Sequence, residues 1–294
     1  MSLFVNFWGT RGSIPTPGFK TKRFGGNTSC VEVRAGETLL ICDAGTGLRE
    51  LGLDLASRGL TTVEAHMFFS HTHWDHIQGF PFFIPAYAPT TTLNVYEVSP
   101  SETRFENLLR GQMASDHFPV SFSDLGSRIV AKHFDAQGQV TINDVQVACL
   151  EQTHPGQSFA YSFEYDGKKI IYATDSEIDL TLENPDEVAE DLTALRRSPA
   201  KLVEFVRGAD LLIADGQYTD DEYPNKVGWG HARANTVVDL AIQADVKQCA
   251  IFHHDPLHSD KRVEEIVDEG RARARAAGSD VQVLGAREGL ELKI

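Results

Sequence analysis

The chain has 294 residues, 41% of them hydrophobic, which is enough to bury a sizeable core. Its 27 Lys and Arg against 42 Asp and Glu give a formal net charge of -15, which disfavours nucleic acids and anionic membranes as partners. The start lacks a signal-peptide pattern, and no run approaches the roughly 18 apolar residues of a membrane span, so we expect a cytoplasmic protein. The four cysteines form no C-x-x-C pair, which indicates buried reduced thiols.

Short apolar runs separated by glycine turns open the chain and are typical of β-strands. Strands are predicted at residues 3–8, 29–34, 38–42 and 65–70, the first three forming one antiparallel sheet. Between the third and fourth strands, Leu48, Leu51 and Leu55 are spaced to line one face of a helix over residues 47–58. The fourth strand leads directly into His71.

The rest of the chain repeats this plan of strands and helices. Further strands are predicted at residues 92–97, 145–152, 159–165, 169–173, 211–214, 248–252 and 281–284, and helices at 235–243 and 260–277. The segment 102–127 mixes helical spacing with loop residues, so it is either a packed connector or a cover over the site. Because no linker or low-complexity tract interrupts the pattern, we predict a single domain over residues 1–294.

The densest chemical signal is the run His71-Thr72-His73-Trp74-Asp75-His76, which directly follows the predicted strand. Residues two apart in an extended segment point the same way, so His71 and His73 can hold one metal ion. Asp75 and His76, at the start of the next helix, can turn toward a second ion. A structural role explains this density poorly, and we predict a metal site.

This run resembles the H-x-H-x-D-H motif of the metallo-β-lactamase superfamily. The resemblance implies an α/β fold, an αββα sandwich with two central mixed β-sheets flanked by helices. It also implies three further ligands at strand ends, of which one is a carboxylate that bridges two metals. On this pattern the metal ligands are His71, His73, Asp75, His76, His154, Asp175 and His253, with His253 favoured over His254.

Trp74 argues against a redox branch of the same superfamily. Its diiron members usually carry Glu at this position to bind iron, and the chain has no room for their flavin domain. A redox role is therefore disfavoured.

The segment around His231, Gly228-Trp229-Gly230-His231-Ala232-Arg233, resembles the G-H-S-T loop of the ribonuclease Z and phosphodiesterase branch, although Ala232-Arg233 replaces Ser-Thr. The resemblance implies that His231 protonates the leaving oxygen and that Asp215 orients its ring. The alternative is that Asp215 caps a turn while His231 packs against Trp229.

Two glycine-rich turns in the first thirty residues also resemble this branch, and a third turn, residues 43–47, resembles the D-x-G-x-G turn of the superfamily. We expect the first two, residues 9–13 and 25–29, to be structural, with Arg11 or Asn27 near the site. The third carries Asp43, which we expect to support the metal loop through hydrogen bonds without binding metal.

The resemblance implies two divalent ions, zinc as first choice with manganese and iron as alternatives, that activate a bridging hydroxide. The catalytic residues are then His231, Asp215 and Asp75. The leading hypothesis is hydrolysis of small phosphodiesters, cyclic nucleotides among them, with nucleic acid unfavoured and a homodimer left open. The alternatives are a transfer-RNA-processing endoribonuclease of the ribonuclease Z type, a hydrolase of lactones, thioesters or β-lactams, and a non-catalytic binding protein.

Overall fold

Two seven-stranded β-sheets pack face to face, and helices cover their outer faces. The structure, a computed structural model, describes residues 2–59, 62–98, 104–134 and 138–294. Its seven α-helices in the described part of the chain are α1 (Gly47–Ser57), α2 (Trp74–Ile77), α3 (Arg104–Gln112), α4 (Pro185–Glu190), α5 (Ala200–Val206), α6 (Ala234–Gln243) and α7 (Asp260–Ala276). The predicted αββα sandwich is confirmed.

The first sheet has the strand order β14-β1-β2-β3-β4-β5-β6. Its members are β1 (Leu3–Gly9), β2 (Cys30–Ala35), β3 (Thr38–Cys42), β4 (Glu64–Phe68), β5 (Thr92–Glu97), β6 (Arg128–His133) and β14 (Glu291–Lys293). The strands from β14 to β3 pair antiparallel, whereas those from β3 to β6 pair parallel. The expected antiparallel arrangement of the first three strands is therefore correct.

The second sheet has the order β13-β12-β11-β10-β9-β8-β7. Its members are β7 (Gln139–Ile142), β8 (Val145–Gln152), β9 (Ser158–Tyr165), β10 (Lys168–Ala173), β11 (Leu211–Asp215), β12 (Gln248–Phe252) and β13 (Gln282–Gly285). Strands β7 to β10 pair antiparallel and β10 to β13 parallel. This sheet is mixed like the first, as predicted.

The core lies in three layers because each sheet buries both faces. Between the sheets, the Phe68 ring stacks on Tyr96 and contacts Tyr161 and Phe163 of the opposite sheet. The outer layers are formed by α1 and α3 on one side and by α5, α6 and α7 on the other. Aromatic pairs of this kind add to the hydrophobic gain of burial.

Several strands end at one common edge, where the polar residues of the predicted site begin. Asp43, Asp175 and His253 each come directly after a strand or two residues beyond it, with positive φ of 59°, 51° and 57°. Non-glycine residues rarely adopt this left-handed backbone, and it persists where surrounding contacts hold it. These turns direct the three side chains toward the edge of the sandwich.

Segment 102–127 is mainly a packed connector in its described part, residues 104–127. Leu109, Met113 and Phe122 are buried in the outer layer of the first sheet. One hydrogen bond, from Gln112 Nε2 to the carbonyl of Ile77, links the segment to the last residue of α2, the helix that carries Asp75 and His76. The prediction of a cover over the site is thus not supported by these contacts, and residues 102 and 103 lie outside the described residues.

None of the four cysteines is in a disulfide, and burial raises the pKa of Cys249 to about 12. Among the described residues, no helix combines the length and the apolar character needed to cross a membrane. The single domain over residues 1–294 stays a prediction.

Candidate active site

Three imidazoles meet at the first cluster, formed by His71, His73 and His154. His154 Nε2 lies 3.1 Å from His73 Nδ1, and the ring centroids of His71 and His73 are 4.4 Å apart. Burial lowers the pKa of all three rings, most strongly that of His71. Neutral rings keep the lone pairs that a metal ion requires.

A second cluster combines Asp75, His76, Asp175 and His253, all of them buried. His76 Nε2 and His253 Nε2 lie 3.2 and 3.1 Å from Asp75 Oδ2. Burial alone would raise the pKa of Asp75, but the neighbouring His76 and His253 lower it far below its usual range. Asp75 is therefore a carboxylate ready to act as a ligand.

Asp175 lies between the two clusters. Its Oδ2 is 3.7 Å from His71 Nε2 and 3.9 Å from His154 Nε2, both in the first cluster. Its Oδ1 is 3.3 Å from both His76 Nε2 and His253 Nε2 in the second cluster. One oxygen thus faces each cluster, as a bridging carboxylate requires.

The arrangement fits metal ions. Within the described part of the chain, His71 Nε2 and His76 Nε2 are buried without a hydrogen-bond partner, and such atoms are costly to leave unpaired. The donor set of imidazole nitrogens and carboxylate oxygens suits zinc. The structure brings together all seven residues predicted as ligands.

Hydrogen bonds donated by Nδ1 direct the Nε2 atoms of three histidines into the clusters. His76 Nδ1 donates to Asp43 Oδ2 at 2.8 Å, and His154 Nδ1 donates to the carbonyl of Gly230 at 2.8 Å. His253 Nδ1 donates to Gln217 Oε1 at 3.1 Å. Such bonds fix the tautomer and orientation of metal-binding histidines.

Asp43 supports the ligand motif as expected. Besides His76, its carboxylate accepts hydrogen bonds from the backbone N–H and hydroxyl of Ser70 and from the hydroxyl of Tyr172. Because all these partners are buried, the carboxylate fixes the end of β4 where the motif starts.

His253, and not His254, faces the site. His254 Nε2 donates to the carbonyl of Ala286, and its ring packs edge-on against Phe24. Burial lowers the pKa of His254 to about 3, so this ring is a neutral part of the core. The preference for His253 agrees with this placement.

The turn of residues 9–13 contacts two of the predicted metal ligands, Asp75 and His253. Ser13, with φ of 64°, donates its backbone N–H to Asp75 Oδ2 at 2.7 Å. A Cβ on Gly12 would lie 2.6 Å from His253 Nδ1, so only glycine fits there. No side-chain signal in the sequence identifies Ser13, because its contribution comes from the backbone.

Arg11 and Asn27 have structural roles. Arg11 is fully buried and donates to the carbonyls of Gly25, Asp255 and His258. Asn27 is bound to the carboxylate of Glu288. Both residues therefore shape the turns behind the ligands.

His231 lies beside the second cluster and is hydrogen-bonded to Asp215. Its Nδ1 donates to Asp215 Oδ2 at 2.7 Å, and its ring stacks on His253 with centroids 5.0 Å apart. Burial lowers the pKa of His231, but the charge and hydrogen bond of Asp215, with the charges of Asp175 and Asp75, outweigh it and raise the pKa to about 9. The hydrogen bond through Nδ1 leaves Nε2 as the ring nitrogen that can donate a proton.

Asp215 also shapes the turn after β11, since it accepts the backbone N–H of Gln217 at 3.1 Å.

The loop after His231 has Ala232-Arg233 where the G-H-S-T motif has Ser-Thr, and the contacts of Arg233 give this difference a structural explanation. Arg233 donates its backbone N–H and Nε to Asp179, each at 2.8 Å, and thereby fixes the start of α6. No sequence motif identifies Asp179, because its partner Arg233 lies more than fifty residues away.

Comparisons with known proteins agree with this geometry. The family model described as a β-lactamase superfamily domain matches residues 38–254. Ribonuclease Z of Haloarcula marismortui is 23% identical over 333 residues, covering 100% of this chain and 97% of the relative. Among solved structures, the metallo-β-lactamase fold protein YhfI of Bacillus subtilis has a TM-score of 0.69 at 17% identity, with 100% of this chain and 99% of that chain covered.

A diphosphatase of the PhnP family has a TM-score of 0.67 at 16% identity and covers 99% of this chain and 98% of its own. The two central mixed sheets and the motif after β4 agree with the family match over most of the chain. The chain belongs to the metallo-β-lactamase superfamily of metal-dependent hydrolases.

Proposed function

We propose that the protein hydrolyses phosphodiester bonds. The observation that carries this proposal is His231, which is hydrogen-bonded to Asp215 at 2.7 Å and lies at the edge of two clusters of potential metal ligands. A diester with an alkoxide leaving group needs both charge stabilisation at phosphate and a proton for the departing oxygen. Lactones and β-lactams have less need of a separate histidine donor.

Seven residues would hold two divalent ions, for which zinc is the first choice and manganese or iron the alternatives. His71, His73 and His154 would hold one, Asp75, His76 and His253 the other, and Asp175 would contact both. When bound, such ions supply an activated water and neutralise charge on the nonbridging phosphate oxygens.

The protein's own residues supply the remaining steps. Asp215 keeps the His231 ring in one orientation and keeps it charged, and Nε2 then donates its proton to the leaving oxygen. Asp75 is held by the Ser13 N–H, so its carboxylate keeps a fixed direction as the reaction proceeds. Positioning of this kind removes much of the entropic barrier.

RNA is the substrate class that the relatives favour. Relatives that match nearly the full chain carry the name ribonuclease Z, which supports the endoribonuclease over our leading sequence-based hypothesis of a small diester. The net charge of -15 favours small phosphodiesters as the second candidate.

The test is a substrate screen with metal-loaded protein. Precursor transfer RNA, cyclic nucleotides, bis-p-nitrophenyl phosphate, a lactone and a β-lactam are compared for wild type and His231→Ala. We expect endonucleolytic cleavage of the RNA that depends on His231. Activity on cyclic nucleotides without RNA cleavage would support the second candidate, and activity on the lactone or β-lactam alone would overturn the proposal. A cytoplasmic location and a homodimer stay predictions.

A further inference from the structure

Glu177 is a buried carboxylate that no sequence motif singled out. We propose that Glu177 is a positioning residue that holds the loop of His231 in place for proton transfer. This inference rests on the proposed role of His231 as proton donor. Glu177 itself contacts neither the two clusters nor the His231 ring through any hydrogen bond in the described part of the chain.

The contacts of Glu177 converge on the segment just before His231. Its Oε1 accepts the backbone N–H of Gly228 at 2.7 Å and the hydroxyl of Tyr223 at 2.8 Å. Its Oε2 accepts the backbone N–H of Gly230, also at 2.7 Å. Both glycines have positive φ, 84° and 90°, so the carboxylate stabilises a loop conformation that few residues adopt.

The backbone of Glu177 is fixed to the metal-binding region. Glu177 follows Asp175 by two residues, and its N–H donates to the carbonyl of Thr153 at 2.7 Å, directly before His154. Gly230 completes the link, because its carbonyl accepts from His154 Nδ1. A Cβ on Gly230 would lie 2.3 Å from His154 Nδ1, so the loop contacts the ligand as closely as packing permits.

A second carboxylate, Asp179, holds the other side of His231. It accepts from the backbone and Nε of Arg233 and from the hydroxyl of Thr236 in α6. His231 therefore lies between two attachments that start from one segment, residues 175–179. Because Asp179 remains when Glu177 is changed, we expect the loop to shift without unfolding.

The chemistry of Glu177 explains why an isosteric amide is a suitable probe. An ionised carboxylate only accepts hydrogen bonds, so both oxygens can face backbone N–H groups. In Glu177→Gln the amide NH₂ would face one of these donors, and one bond would be lost. A displacement of a reacting group by about 1 Å can lower the rate by about 10²-fold. Because the His231 loop would keep part of its contacts in Glu177→Gln, we expect the rate to fall by about 10-fold to 100-fold.

The experiment compares two substrates at saturating metal. Precursor transfer RNA has an alkoxide leaving group, whereas bis-p-nitrophenyl phosphate releases p-nitrophenolate without needing a proton. Glu177→Gln should lower kcat on the RNA about 10-fold to 100-fold, with KM and metal content unchanged and the aryl substrate nearly unaffected. Tyr223→Phe, which removes one contact of the same carboxylate, should show the same pattern more weakly.

Asp210→Asn is the matched control. Asp210 is also buried and accepts from three donors, Lys168, Lys247 and the backbone of Lys169, but it lies before β11, at the opposite end of the strand from Asp215. Its change should lower the thermal midpoint without altering the ratio of the two substrate rates. An equal loss on both substrates for Glu177→Gln would overturn the proposal.

A double variant separates this inference from the proposed function. If Glu177 acts through His231, adding Glu177→Gln to His231→Ala should cost nothing further on the RNA. Independent losses that multiply would overturn the inference. If His231→Ala itself affects both substrates equally, the proposed proton donor fails instead, and this outcome is visible without any Glu177 variant.

Discussion

The ligand motif and the proton-donor loop are built in opposite ways. The motif delivers four functional side chains from residues 71–76, which begin three positions after the last residue of β4. The loop of residues 228–236 delivers one, His231, whose position depends on Glu177, Asp179 and Asp215 from distant segments. The comparison shows that a dense local motif reveals its chemistry, whereas a positioned donor depends on tertiary contacts.

The two regions should therefore respond differently to substitution. Loss of a side chain in the clusters removes a direct ligand and should affect every substrate. Loss of a contact around His231 should affect only substrates whose leaving group needs a proton.

Asp175→Ala should have the largest effect, because Asp175 faces both clusters. We expect the protein to bind about two ions per chain and the variant to lose at least one. Turnover should fall on all substrates by more than the roughly 10²- to 10⁴-fold that a general acid contributes. Elemental analysis alongside turnover measures this, and circular dichroism checks that the fold is kept. Zero metal in wild type offered zinc or manganese would contradict the metal site.

His231→Ala should lower turnover of an alkoxide diester by about 10²- to 10⁴-fold and leave metal content unchanged. A p-nitrophenyl diester should lose much less, since p-nitrophenolate leaves without a proton. Metal analysis and both rates are measured on the same preparations. Loss of one metal equivalent would instead make His231 a ligand, as its place beside Asp175 and His253 in a third group of donors allows.

The sequence predicted the fold well where burial is strong. The central strands were found within one or two residues because their buried faces demand apolar residues. The strands β6, β7 and β14 were missed, and all three lie at or next to a sheet edge. β7 and β14 are short, with four and three residues, and β6 is mostly exposed with half of its residues polar, so their patterns carry little signal.

The site was predictable in part for the same physical reason. His71, His73, Asp75 and His76 are close in sequence, and His154, Asp175 and His253 follow strands whose ends meet at one edge. Ser13 and Glu177 were not predictable, because a backbone N–H and a carboxylate that binds backbone groups leave no motif. Such residues become visible only when the hydrogen bonds of the folded chain are known.

Asp43→Asn tests the support of the ligand motif. His76 Nδ1, Ser70 and Tyr172 all donate to this carboxylate, so an amide would lose at least one bond and weaken the orientation of His76. Changes to such supporting residues typically cost about 10- to 100-fold in metal affinity. Competition with a chelator of known affinity measures the change. Excess metal should restore turnover on both substrates alike, and a loss confined to the alkoxide substrate would contradict this role.

Asp215→Asn should have the smallest effect at neutral pH, and its signature is a shift in pH dependence. His231 is the donor only while protonated, so turnover of the alkoxide diester should fall as the pH rises through the His231 pKa of about 9. Burial lowers that pKa, and the Asp215 charge is the largest influence that raises it, so the variant should move the alkaline limb to lower pH.

The raised pKa of His231 also affects the stability of the fold. Below the pKa of about 6.5 that histidine has in the unfolded chain, the charged ring stabilises the folded protein, and this stabilisation is lost as the pH rises through about 9. In Asp215→Asn this loss of stability should begin at a lower pH than in the wild type.

The measurement is a pair of pH–rate profiles, one for each leaving group, with thermal midpoints across the same range. At pH 7 we expect a loss of about tenfold or less on the alkoxide diester, below the roughly 10²-fold minimum for deleting a general acid. The p-nitrophenyl profile should be the same in wild type and variant, because its leaving group takes no proton from His231. If the alkaline limb of the alkoxide diester stays at the same pH in the variant, Asp215 does not control the charge of His231. Its role would then be limited to orienting the His231 ring through the hydrogen bond.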